Sequence, residues 1–166
     1  MTAALVRLLP VGEWDVLAHL ARTHPTPANC GTLAELHDDV TMTTLRGMAD
    51  EHGLISLHQA GAGSDKTPPR WLTAANLTEA RLTTAGCRTA DQVVHLAGTL
   101  LLLSRKHGPT PVDLLISATG LDPDDFATLL AHQLVEAVTR DGDPDPRVAP
   151  AFVRITARGR RYTTDH

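Results

Sequence analysis

A short stretch of the chain, Thr43-Thr44-Leu45-Arg46-Gly47, carries side chains that can bond nucleic acid. A threonine hydroxyl bonds phosphates or base edges, its methyl group contacts thymine, and an arginine bonds guanine bidentately. A glycine is unfavourable inside a helix, but it lets a second backbone approach closely. Thr43, Thr44, Arg46 and Gly47 are therefore candidate DNA contacts.

Two further cations, Lys66 and Arg70, follow in a segment rich in glycine and proline, residues 60–70. This composition is typical of a loop between two ordered elements. Cations on such a loop would contact phosphate or the minor groove. Lys66 and Arg70 complete the expected set of DNA-binding residues.

Helices must position the first group of candidate contacts, Thr43, Thr44, Arg46 and Gly47. Apolar residues at three- and four-residue spacing predict a helix over about 13–22, which the segment His24-Pro25-Thr26-Pro27 ends. Thr32, followed three residues later by Glu35, predicts a capping box and a second, short helix.

The candidate contacts themselves lie on a third predicted helix. Thr41 is its expected N-cap, and Val40 can pack on Leu45 as a hydrophobic staple. Gly53 is expected to close the helix in the left-handed conformation. Strands are predicted over 54–58 and 72–83, on either side of the loop.

From Asp91 the same order of elements repeats. An apolar helix is predicted over about 92–107, followed by a helix capped by Thr110 with Pro111 at its first position. Asp122 is the expected cap of a third helix. A strand is predicted to begin near Val138, and the returning strand spans 152–156 after an acidic loop, 141–150. The helix 92–107 would be either buried between two units or a dimer face.

One phrase closes each half: Leu82-Thr83-Thr84-Ala85-Gly86 and Ile155-Thr156-Ala157-Arg158-Gly159. We expect the threonine to cap the turn that leaves the strand, and the glycine to let the backbone reverse. A stapled helix followed by this phrase, found twice, predicts two equivalent units, 1–90 and 91–166. The alternative is one such unit followed by a helical C-terminal extension.

The two phrases, within Arg81–Arg88 and Arg154–Arg161, resemble the strand that closes the wing in winged-helix bacterial regulators of the MarR and PadR kind. Thr32–Leu36 and Gly53-Leu54-Ile55 are similar to the helix-turn-helix and the entry to the first strand there. The resemblance implies a mostly α protein with small β-wings (α+β), built of two winged helix-turn-helix units in tandem. It also implies a dimeric bacterial transcription regulator whose second motif helix meets base edges.

Charge distinguishes the two halves. The net charge is −4, so DNA binding requires a local basic patch. The third helix of the second half begins with three carboxylates, and its loop adds three more, which would repel a polyanion; these residues are Asp122, Asp124, Asp125, Asp141, Asp143 and Asp145. Double-stranded DNA is therefore expected to meet the first unit only, while the second unit dimerises or contacts a protein partner.

Other interpretations remain open. One is a ligand-sensing pocket beneath the apolar helix 92–107, for which the sequence names no ligand. An acidic tandem winged-helix chain can instead be a protein–protein interaction module, a subunit or adaptor of a larger bacterial complex. A basic cluster near the C-terminus can serve phosphate, an acidic partner or solubility; it comprises Arg154, Arg158, Arg160 and Arg161.

Catalysis, metal binding and membrane insertion are not expected. Cys30, His24 and His37 are of the types that ligate zinc, but their spacing follows no zinc-site pattern. No phosphate-binding loop or nucleophile motif is present. No apolar run reaches the length of a membrane span, and no N-terminal signal segment is evident. We therefore expect a cytoplasmic protein without a cofactor.

Overall fold

The computed structural model describes residues 8–59, 78–147 and 149–163 of the chain. They form a mixed α+β structure whose strands belong to two small antiparallel sheets. The chain divides into two compact units, Leu9–Val93 and the residues from Val94 onward, the latter together with the residues before Leu9. The boundary lies inside a helix, three residues beyond the position 90/91 expected from the sequence.

The first unit contains three helices and a three-stranded sheet. Its elements in chain order are α1 (Val11–Thr23), β1 (Ala28–Asn29), α2 (Cys30–Leu36), α3 (Met42–Asp50), β2 (Ile55–Gln59) and β3 (Thr78–Leu82). β3 is the central strand and pairs with both β1 and β2, with Ala80 opposite Ala28 and Leu57. Ala80 is fully buried, so this small residue faces the helices at the centre of the sheet.

The second unit repeats this sheet order. The elements are α4 (Thr84–Ser104), which begins in the first unit, then β4 (Thr110–Pro111), α5 (Val112–Thr119), α6 (Pro123–Ala131), β5 (Val135–Val138), β6 (Phe152–Ile155) and α7 (Ala157–Arg160). β6 lies between β4 and β5, as β3 lies between β1 and β2. The buried residue at its centre is Val153.

The repeated phrase closes each sheet in the same way, but it does so as the start of a helix. The Thr83 hydroxyl donates to the carbonyl of Gly53 (2.6 Å) and accepts from the N–H of Gly86 (3.0 Å). The Thr156 hydroxyl donates to the carbonyl of Gln133 (2.6 Å) and accepts from the N–H of Gly159 (2.9 Å). Each threonine therefore joins the end of one strand, the start of a helix and the turn before the preceding strand.

The glycine of the phrase is needed for close approach and not, as the sequence suggested, for chain reversal. A Cβ built on Gly86 would lie 2.8 Å from the carbonyl carbon of Leu54 and still closer to its oxygen. On Gly159 it would lie 2.9 Å from the carbonyl carbon of Leu134. Neither glycine has a positive φ angle. α4 consequently begins at Thr84, and the expected start near 92 was wrong.

Two predicted caps and one strand start were wrong. Asn29, not Thr32, caps α2, because its side chain accepts from the N–H groups of Gly31 (2.9 Å) and Thr32 (3.2 Å). Thr110 and Pro111 form β4, and the side chain before α5 makes no cap hydrogen bond. Val138 ends β5 and does not begin it.

Other predicted helix ends are confirmed, except that α4 ends at Ser104 and not at 107. Thr41 caps α3 and Asp122 caps α6. Gly53 follows α3 with φ 61°, and Gly120 ends α5 with φ 68°. Gln133 follows α6 with φ 57°, so a non-glycine residue occupies the position that Gly53 occupies in the first unit.

Candidate nucleic-acid interface

The outward face of α3 carries Thr43 and Arg46, which are exposed and three residues apart. Residues at this spacing are neighbours on one face of a helix. Among the described residues Arg46 has no ion-pair partner. A Cβ built on Gly47 would meet no atom within 4 Å, so the surface beside Arg46 is open at this point. This surface offers the hydroxyl of Thr43, the guanidinium of Arg46 and, at Gly47, a backbone that no Cβ covers.

Thr44 has a different role from the one expected. Its N–H donates to the Thr41 hydroxyl (3.3 Å), and its own hydroxyl accepts from the Thr41 N–H (3.3 Å). This is a reciprocal capping box in which threonine stands where glutamate is usual. Thr44 is half-buried and fixes the start of α3, so Thr43 and Arg46 are the side chains left for an outside ligand.

Buried polar residues of α1 contact the chain on both sides of α3. The Asp15 carboxylate lies 4.0 Å from the ring of His37, before α3, and both side chains are buried. The Glu13 carboxylate lies 3.6 Å from the ring of His52, after α3. These contacts hold the segments before and after α3 against α1. The position of α1 therefore sets the direction in which the outward face of α3 points.

Gly12 sets how closely α1 meets the turn before α3. A Cβ built there would lie 3.0 Å from the carbonyl carbon of Asp39, and closer to its oxygen. The side chains of Asp38 and Asp39 are exposed at this turn, and Asp50 is exposed near the other end of α3. The candidate surface therefore consists of Arg46 and Thr43, and it lies between the two acidic ends of α3.

The equivalent helix of the second unit, α6, has no such donors. Asp122 accepts from the N–H of Asp125 (2.8 Å), and the side chain of Asp125 is itself buried. The Thr128 hydroxyl is also buried and donates to the carbonyl of Asp124 (2.9 Å). The exposed residues of α6 are Pro123, Asp124, Ala127 and Ala131. Its outward face is therefore acidic and small.

The acidic loop of the second unit is partly neutralised. Asp145 is buried and forms a bidentate ion pair with Arg147, at 2.9 and 2.6 Å. The hydrogen bonds from Arg147 lower the pKa of the Asp145 carboxyl. Asp141 and Asp143 remain exposed.

Two arginines of the basic C-terminal cluster make contacts within the chain and contribute less to the exposed positive charge. Arg154 pairs with Glu136 across the sheet (2.7 and 2.8 Å), and Arg160 donates to the carbonyl of Ser104 (3.3 Å). Arg158 and Arg161 are exposed and make no ion pair with the described part of the chain.

Lys66 and Arg70 lie outside the described residues.

The three potential zinc ligands are not arranged as a site. Cys30 is buried at the start of α2, His37 faces Asp15, and His24 is exposed beyond the end of α1. Burial, with Glu79 nearby, raises the pKa of the Cys30 thiol. Residues 8–59, 78–147 and 149–163 hold no group of three or more His, Cys, Asp or Glu placed to bind a metal.

The second unit contains an apolar cleft at the end of α4, the helix beneath which the sequence left a ligand-sensing pocket open. Its volume is about 380 Å³, and it lies between the end of α4, β4 and α5. The apolar lining is Leu102, Pro109, Pro111, Leu114 and Leu115, and Lys106 and His107 lie at its edge. Leu114 is 64% exposed. In the sequence, the position of the cleft is indicated only by the run Leu114-Leu115-Ile116, which has more consecutive apolar residues than a short helix can bury on one face.

Comparisons of the chain with protein-family models, with curated proteins and with solved structures find no match. None of the helices in the described ranges has both the length and the apolar character needed to cross a membrane. The basis for a functional proposal is therefore the chemistry of the exposed residues.

Proposed function

We propose that the protein is a DNA-binding transcription regulator made of two winged helix-turn-helix units. The N-terminal unit contacts duplex DNA through α3, and the C-terminal unit dimerises or binds a protein partner. The observation that carries the proposal is the outward face of α3, where Thr43 and Arg46 are exposed beside the open surface at Gly47. In a helix-turn-helix, the second helix of the motif carries the side chains that bond base edges.

The order of elements supports the same assignment. Each unit has a helix, a short strand, two further helices and a two-stranded hairpin, and in the first unit the hairpin strands β2 and β3 flank the segment that contains Lys66 and Arg70. In a winged helix this segment is the wing, whose cations contact phosphate. The acidic face of α6 supports a protein-binding role for the C-terminal unit, because Asp124 would repel a polyanion there.

The test is duplex binding by fluorescence anisotropy, first with a random-sequence 30-base-pair pool at low salt and then with sequences selected from it. Arg46→Ala should weaken binding to the selected sequence by about 1–3 kcal/mol and relax its sequence preference. Lys66→Ala and Arg70→Ala should weaken all sequences alike and each reduce the salt slope by about 1. Arg88→Ala, an exposed arginine on α4, is the matched control.

A second candidate function is a tandem winged-helix interaction module, an adaptor or subunit of a larger complex. The acidic ends of α3 and the apolar cleft of the second unit favour it. If the purified protein binds no duplex at low salt and Arg46→Ala changes nothing, the regulator proposal is refuted. Co-purification of the tagged full chain then identifies the partner.

A further inference from the structure

Three large apolar side chains are exposed in the part of the chain that the structure describes: Leu36 (55%), Val94 (40%) and Leu114 (64%). Isolated exposed leucines are ordinary on a protein surface. Leu114 is different because it forms the edge of a cleft, where it continues an apolar lining. Leu36, the last residue of α2, is different because the exposed carboxylates Glu35 and Asp38 lie beside it in the chain.

The cleft has a basic edge. Lys106 and His107 are exposed beside its apolar lining, and Arg105 is exposed just before them. Lys106 makes no ion pair with any described residue. The volume of the cleft, about 380 Å³, lies at the lower end of the range of about 300–1,000 Å³ that is usual for ligand pockets in proteins. The cleft therefore suits a small apolar group with negative charges next to it.

The end of α2 has the complementary character. Leu36 is the last residue of the helix, and Glu35, Asp38 and Asp39 around it are all exposed. The next residue, His37, is buried against Asp15, and its N–H donates to the Leu33 carbonyl (3.2 Å). This anchoring fixes the backbone on one side while Leu36 points to solvent. The segment is a rigid apolar projection surrounded by three carboxylates.

We propose that the cleft of one protomer receives Leu36 of a second copy of this chain. Glu35, Asp38 and Asp39 of that copy then lie against Arg105, Lys106 and His107. Every chain carries both surfaces, and the proposed assembly is a two-fold dimer in which the contact forms twice. Complementary charge around an apolar centre gives such an interface its specificity.

This inference rests on the partner-binding role proposed for the second unit and not on DNA contact. Protein that stays monomeric but binds duplex refutes the inference alone. Dimeric protein without duplex binding refutes only the DNA contact proposed for α3.

Sedimentation equilibrium of the full chain over a wide concentration range tests the proposal. We expect a monomer–dimer equilibrium that weakens as salt is raised, because exposed charge pairs are screened. Leu36→Ser and Lys106→Glu should each raise the dimer Kd by roughly tenfold or more. These side chains are exposed, so the circular dichroism spectrum should not change.

A charge exchange provides the decisive control. Asp38→Lys alone should weaken the dimer, and the combination of Asp38→Lys with Lys106→Glu should restore most of the lost affinity, since the ion pair is rebuilt in reverse. Arg88→Glu, which reverses an exposed charge on α4 that belongs to neither set of contact residues, should leave the dimer Kd unchanged. A protein that is monomeric at all concentrations refutes the proposal, as does a dimer insensitive to both Leu36→Ser and Lys106→Glu. Capture of an unrelated acidic peptide by a monomeric protein would also refute it.

Discussion

Replacing Gly86 by alanine should destabilise the first unit. The new Cβ would lie 2.8 Å from the carbonyl carbon of Leu54 and 3.3 Å from a methyl group of Leu82. Favourable carbon–carbon contacts lie at about 3.5–4.0 Å. The first obstacle is backbone, so the start of α4 must move away from the turn before β2.

That movement would also lengthen the contacts of Thr83, whose hydroxyl donates to the Gly53 carbonyl and whose N–H donates to the Leu54 carbonyl (3.1 Å). Overpacking costs about 1–3 kcal/mol, and each weakened hydrogen bond about 0.5–1.5 kcal/mol. We therefore expect Gly86→Ala to lower the free energy of unfolding by about 3 kcal/mol.

Urea unfolding followed by tryptophan fluorescence measures this loss in the correct unit, because Trp14 is buried in α1 and residues 94–166 contain no tryptophan. Gly47→Ala is the matched control, since the same added methyl group meets open space on α3. It should raise the stability by about 0.5–1 kcal/mol through helix propensity. A Gly86→Ala loss below about 1 kcal/mol would show that the close approach is not a constraint.

Two further predictions concern caps and thiols. Thr41→Ala should lower the free energy of unfolding by about 1 kcal/mol because it removes the capping box of α3; Thr43→Ala, two residues on and exposed, should change it by less than about 0.5 kcal/mol in the same urea assay. At pH 8 a disulfide reagent should modify the half-buried Cys87 first and Cys30 only slowly, because burial excludes the reagent and raises the pKa of the Cys30 thiol. A fast phase that survives Cys87→Ser would contradict this order.

Sequence signals that act within one turn of helix were correct for two of the four predicted N-caps. Thr41 and Asp122 cap the helices they were expected to cap, because a polar side chain before an apolar periodic run has few other partners. Gly53 has the left-handed conformation expected after a helix. Thr32 failed because Asn29, three residues earlier, also satisfies the free N–H groups and lengthens the helix by almost a turn.

Features that depend on distant parts of the chain were missed. β1 and β4 contain two residues each and therefore have no periodicity of their own. Gly86 and Gly159 meet carbonyl groups 32 and 25 residues earlier, at Leu54 and Leu134, and nothing local indicates this contact. The cleft is likewise formed by three elements together. Of the candidate site, the exposure of Thr43 and Arg46 was predicted, while the structural role of Thr44 was not.

The threonine–glycine closure has a consequence for how freely these units can vary in sequence. It requires a hydroxyl at Thr83 or Thr156, a missing methyl group three residues later, and one left-handed residue after the preceding helix. None of these demands falls on the outward faces of α3 and α6. Mutations there are consequently nearly neutral for folding, so selection on an outside partner can change them independently. Two units with one mode of closure can thus carry a threonine–arginine surface in one case and an acidic surface in the other.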